Sequence, residues 1–180
     1  MEIIGERIQL RDFTGSDRTF FGELEGHELT TRFENHKPDA AQIQKDFEAA
    51  LSHAQCKPRE HFNLIICRTA DNIPLGGISL KLNWSEIREW EIGWALHPDY
   101  WRQGYAAEAV RLMTCYAFES LQAHRIVAYA NADNIRSENL MIRVGMIKDG
   151  VLRETRYCNQ TWCDELIYSM LERDWVQLNV

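Results

Sequence analysis

The sequence has little that would tie it to a metal, a membrane or a nucleic acid. Its five cysteines, Cys56, Cys67, Cys115, Cys158 and Cys163, include no CxxC pair. An odd number without close pairing points to reduced thiols in a reducing compartment. Cys158 and Cys163 are the two that a single hairpin would bring near each other. The histidines His27, His36, His53, His61, His97 and His124 form no HxxxH and sit near no cysteine pair, so no metal is expected. No apolar run approaches the roughly 20 residues needed to span a bilayer. Glu2, Glu6 and Arg7 interrupt what would be the apolar stretch of a secretory signal, so none is read there and the cytoplasm is the expected compartment. Positive charge is the scarcer sign, with 20 Lys and Arg against 27 Asp and Glu and a net charge of −7. That balance argues against nucleic acid as a partner and suits a cationic substrate. There is no internal repeat, low-complexity tract or Pro/Gly/Ser-rich linker. The chain reads as a single domain over residues 1–180.

Hydrophobic spacing supplies the elements. Residues 7–10 alternate polar and apolar, as a half-buried strand does. Ser16 and Asp17 stand where they can cap a helix through about Gly26, with Phe20, Phe21 and Leu24 on one face. Ala40 to Ala54 reads as a second helix through Ile43, Phe47 and Leu51. Strands are expected over 62–68, 73–82 and 90–96, the first two joined by a turn at Asp71-Asn72. A long helix should open at Gly104 and run to about Leu121, followed by a buried strand at 125–130. A short helix over 136–144 should stop at Gly145, and strands at 146–156 and 161–171 should form a hairpin. Strand, long helix, strand predicts one parallel crossover in an otherwise antiparallel sheet.

The segment from Gly93 to Ala109 carries the chemistry. A strand ends, a short loop passes Pro98, and a helix begins at Gly104. The first amides of a helix have no partners within it and lie at the positive end of its dipole. That is an anion site suited to a pyrophosphate. Gly104 would let a phosphate reach the backbone, Ala106 and Ala107 would leave the first turn uncrowded, and Arg102 would add a cation.

Trp101-Arg-Gln-Gly104-Tyr-Ala106, after Leu96-His97-Pro98, resembles the acyl-CoA loop of the GNAT superfamily of N-acetyltransferases. The family pattern has Gln or Arg where this chain has Trp101. That departure resembles the Rim-type branch, which includes the ribosomal-protein N-terminal acetyltransferases. Leu29 to Phe33, Asn131 to Ser137 with Gly145-Met146, and Trp162 to Tyr168 resemble further segments of the same branch.

The resemblance implies an α/β (α+β) GNAT fold. About seven strands would form a mixed, mostly antiparallel sheet flanked by four helices and splayed between the fourth and fifth strands. It implies acetyl-CoA as cosubstrate, with the backbone from Gln103 through Gly104, Tyr105 and Ala106 to Ala107 holding the pyrophosphate. Leu96 and His97 would border the pantetheine arm, Asn134 would bond that arm or the loop, and Ser137 would lie near the sulfur. The superfamily's proton-donating tyrosine would stand at Met141, which cannot donate. Ser137, one turn earlier, is the available hydroxyl.

The reaction would be attack of a neutral amine on a thioester. Glu91 is the leading candidate base and Glu154 the second. The tryptophans Trp84, Trp90, Trp94 and Trp101 could wall an acceptor groove or simply pack the sheet. Three functions stay open: acetylation of a protein N-terminal α-amine, acetylation of a small amine such as an amino sugar, polyamine or amino-acid analogue, and binding of acyl-CoA without turnover. The chain could be a monomer or a homodimer, because the C-terminal hairpin would expose an edge strand.

Overall fold

The computed structural model describes residues 1–178. Eight strands form one sheet in the order β1-β2-β3-β4-β5-β6-β8-β7. They are β1 (Glu2–Ile4), β2 (Ile8–Asp12), β3 (His61–Arg68), β4 (Pro74–Trp84), β5 (Glu89–Leu96), β6 (Arg125–Asn131), β7 (Ile147–Cys158) and β8 (Thr161–Leu171). The helices among the described residues are α1 (Arg18–Gly26), α2 (Ala40–His53), α3 (Tyr105–Glu119), α4 (Ile135–Arg143) and α5 (Glu172–Leu178). Two of these elements go beyond the expected seven strands and four helices. β1 is only three residues long, and α5 buries no residue, so neither leaves an apolar period in the sequence.

Alternation along each strand divides the core between two faces. Leu64 and Ile66 of β3 point to one face, with Ile78 and Leu80 of β4, under Ala109, Val110 and Met113 of α3. Ile65 and Cys67 point to the other, where Phe21 of α1 and Phe47 of α2 meet Phe13. The rings of Phe13 and Phe21 lie 5.4 Å apart, edge to face. The turn into α1 is held by the buried Asp17, which accepts two 2.8 Å hydrogen bonds from Arg11 and one from the Thr14 amide. Burial opposes ionisation of Asp17, but Arg11 and Thr14 outweigh it and hold the carboxyl below its usual range. α2 begins at Asp39, whose side chain accepts from the Gln42 amide at 2.8 Å.

The pairing of β5 with β6 is parallel and covers only Glu89 with Arg125, Trp90 with Ile126 and Glu91 with Val127. Beyond Glu91, β5 pairs only with β4, and β6 beyond Val127 pairs only with β8. The sheet therefore opens into a gap between residues 92–96 and 128–131. This is the predicted splay; the additional N-terminal strand makes its borders the fifth and sixth. All five cysteines are free thiols. No helix among the described residues is long and apolar enough to cross a membrane.

Candidate active site

The splay is the floor of a cleft of about 530 Å³. Ile92 to Leu96 of β5 form one wall, and Tyr129 to Asn131 of β6 face them. Arg102, Gly104, Ala106 and Ala107 enter from the start of α3, and Asn134 and Ser137 from the start of α4. α1 and the segment after it close the remaining side with Leu24, Glu25, Thr30 and Glu34.

Local sequence explains the start of α3. Gly104 is its N-cap, at φ 86 and ψ −2, a left-handed conformation that favours glycine. The amides of Tyr105, Ala106 and Ala107 meet no acceptor among the described residues, since the first bond of the helix runs from the Glu108 amide to the Gly104 carbonyl. Arg7 braces the loop. It donates to the Gln103 carbonyl at 3.0 Å, pairs with Glu108 at 2.9 Å and lies over the Tyr105 ring. Trp101 donates from its indole to the Leu96 carbonyl at 2.8 Å. The Arg136 guanidinium stacks on the Trp101 ring at 4.1 Å, which links the start of α4 to the α3 loop.

The other predicted residues divide. Leu96, Arg102, Gly104, Ala106, Ala107, Asn134 and Ser137 line the cleft. His97 and Gln103 stand beside it: His97 accepts from the Asp99 amide, and Gln103 donates to the Asp99 carbonyl. The Tyr105 side chain is buried in the core under α3. Asn134 caps α4 by accepting from the Ser137 amide at 3.3 Å. Met141 is fully buried, so the position expected to hold the family tyrosine faces the core in this chain. Of the tryptophans, Trp94 and Trp101 line the cleft, Trp90 is core and Trp84 is exposed.

Glu91 lies outside the cleft lining. It sits at the last register pair of β5 and β6, between Lys81 and Val127, where the sheet is still closed. Glu154 is exposed on β7 and borders a separate shallow depression with Asp164. Two carboxylates do face the cleft, Glu25 and Glu34, and neither is among the residues expected from sequence. Glu25 is half-buried and lines the wall formed by α1. Burial, with Glu34 and Asp46 adding like charge, pushes its pKa up to about 7. It stands one residue after Leu24, and nothing in the spacing of α1 marks it apart from its acidic neighbours Glu23 and Glu28.

The sequence pattern of the Acetyltransferase (GNAT) domain matches residues 7–147. The chain belongs to the GNAT acetyltransferases. It is 28% identical to the Bacillus subtilis protein named uncharacterized N-acetyltransferase YnaD over 175 residues, 97% of this chain and 99% of that one. Among solved structures it matches a Vibrio cholerae spermidine N-acetyltransferase in complex with CoA and spermine, with a TM-score of 0.84 at 17% identity. That match covers 96% of this chain and 99% of the other. It also matches a ribosomal-protein-S5-alanine acetyltransferase from Vibrio fischeri, with a TM-score of 0.83 at 21% identity, covering 97% of this chain and 98% of that one. This GNAT protein is an N-acetyltransferase, and the family uses acetyl-CoA. The start of α3 fits such a donor, because its unpaired amides at the positive end of a helix are what a diphosphate needs.

Proposed function

We propose that this N-acetyltransferase acts on the α-amine of a protein or peptide N-terminus, as the Rim-type branch does. The observation that carries the reading is the distribution of charge around the cleft. Arg102, Arg136 and Arg143 reach it from the loops and helices on the α3 face, and Glu25 and Glu34 from the α1 side. The arginines suit a phosphorylated donor and the carboxylates a cationic acceptor. Glu34 is shared with Arg156, at 3.8 Å. That leaves Glu25 as the cleft carboxylate without an ion pair among the described residues. One such carboxylate matches a single ammonium better than the several charges of a polyamine.

Proton energetics favour the same acceptor. Neutralising an α-amine of pKa about 8 at pH 7 costs roughly 1.4 kcal/mol, against roughly 4.6 kcal/mol for a lysine-type amine near 10.4. Acetyl-CoA would supply the acetyl group as a thioester. The amides of residues 104–107 and the Arg102 side chain would hold its diphosphate, and the free edge of β5 its arm. Ser137 makes no side-chain hydrogen bond to a described residue, and its hydroxyl would donate to the departing sulfur. The whole of residues 1–180 would act as one catalytic domain.

The test is release of free thiol from acetyl-CoA with short peptides, spermidine and amino sugars in parallel. Unblocked peptides should react fastest, and the same peptides formylated at the N-terminus should not react. Faster turnover of spermidine than of every peptide would overturn the α-amine assignment. Tight binding of acetyl-CoA with no thiol released by any amine would favour a sensor. Ser137→Ala should lower kcat by about 10- to 100-fold, the worth of one hydrogen bond to a charged group, and leave acetyl-CoA affinity within a factor of two. A normal kcat in that variant would remove the role given to the hydroxyl.

A further inference from the structure

We propose that Glu25 is the general base of this acetyl transfer, taking a proton from the acceptor's ammonium group within the cleft. The assignment deepens the amine-site reading and rests on it. It stands first on geometry. Glu25 lines the cleft from α1, on the side that Leu29, Thr30 and Phe33 close off with it. Glu91 and Glu154 lie outside that lining. The other cleft carboxylate, Glu34, already has Arg156 as partner, and Arg156 is also bound to Glu165.

The groups around Glu25 leave its charge uncompensated. Glu34 follows it on the same side of the cleft, and Asp46 acts on it from α2; both are acidic. His27, two residues on, turns its ring against His97. Tyr129 faces the cleft from β6, and its own pKa is raised by burial and then by neighbouring carboxylates. The cleft arginines Arg102, Arg136 and Arg143 come from the α3 and α4 side, and Arg156 from β7. None forms an ion pair with Glu25. A desolvated carboxylate among acids titrates at about 7, which suits a base working near neutral pH.

In the step proposed, one N–H bond of the ammonium breaks and an O–H bond forms on the Glu25 carboxylate. The nitrogen, now with a lone pair, forms the N–C bond to the acetyl carbonyl carbon as the C–S bond breaks. The sulfur leaves with the bonding pair and takes the nitrogen's second proton. Glu25 returns its own proton to solvent, ready for the next turnover.

The experiment compares wild type with Glu25→Gln, using a peptide α-amine as acceptor. In wild type, kcat/KM for the amine should be bell-shaped in pH. The acid limb, near 7, belongs to Glu25, and the alkaline limb, near 8, to the free amine. In Glu25→Gln the bell should be lost, and the rate should follow the free amine, rising to a plateau above the amine's pKa. The loss should be about 100-fold at pH 7 and should shrink towards pH 9. An unchanged bell, or a loss equal at every pH, overturns the proposal.

Melting supplies a readout independent of turnover. A carboxyl raised from 4.5 to about 7 on folding adds stability below pH 4.5 that is lost as pH rises through 7. Glu25→Gln should therefore melt above wild type at pH 8, with the excess shrinking towards pH 5. Equal melting at pH 8 overturns the proposal, because the carboxylate would then not be desolvated. Failure of wild type to release thiol with any amine would show before a variant is made. That result would fell the amine-site reading, and the role of Glu25 with it.

Discussion

Gly104→Val is expected to weaken acetyl-CoA binding by at least 100-fold, roughly 2.7 kcal/mol, and to do so with the fold intact. Two costs add. At φ 86 the backbone lies where L side chains are strained, and a β-branched residue is the least tolerant of it. That strain alone is about 1–3 kcal/mol, and the chain can relieve it by unwinding the first turn of α3. A new Cβ would also stand 3.2 Å from the Arg7 guanidinium, the group that fixes the Gln103 carbonyl and Glu108. Either response turns the amides of residues 105–107 away from a common anion. Titration calorimetry with acetyl-CoA measures the loss, and Gly104→Ala should fall between wild type and Val. Unaltered affinity in the Val variant would mean that the diphosphate is held elsewhere.

Much of the cleft's geometry is legible in the sequence, and the reason is local. A strand end, a proline, a glycine and a helix start lie within one short segment, so their geometry follows from sequence neighbours. The same holds for Asn134 and Ser137, joined by a single cap. What the sequence could not supply depends on rotation and on distant packing. Met141 lies four residues after Ser137, yet it is fully buried while Ser137 lines the cleft. Glu91 is the leading candidate in the sequence because its strand borders the splay. Where the splay begins is set by how many pairs β5 and β6 make, which no residue on either strand announces. The place of Glu25 in the cleft is illegible in the sequence for the complementary reason. Glu25 shares the cleft wall with Leu29, Thr30, Thr31, Phe33 and Glu34, a segment without an apolar period. The three-residue β1 and the seven-residue α5 escaped because each is too short to display a repeat.

The second large effect falls on stability, at a glycine far from any turn. Gly76 on β4 pairs with Ile66 on one side and Leu96 on the other. A Cβ there would lie 2.1 Å from the Ala95 carbonyl oxygen, 2.7 Å from Leu96 Cδ2 and 2.8 Å from Leu96 Cα. Two of those three atoms are backbone, so no rotamer change relieves the clash; β5 itself must move. Gly76→Ala should cost about 3 kcal/mol and lower Tm by roughly 6–12 °C. Gly93→Ala is the matched comparison. Its Cβ would meet only the Ser79 hydroxyl oxygen, at 2.9 Å, and that side chain can turn away. It should therefore cost under about 1 kcal/mol. Because Leu96 ends β5 at the cleft and its carbonyl receives the Trp101 indole, displacing it also shifts the wall of the acetyl-CoA site. Gly76→Ala should then lose acetyl-CoA affinity even at temperatures where it is fully folded. Equal melting temperatures for the two variants would show that the end of β5 yields more easily than this packing implies.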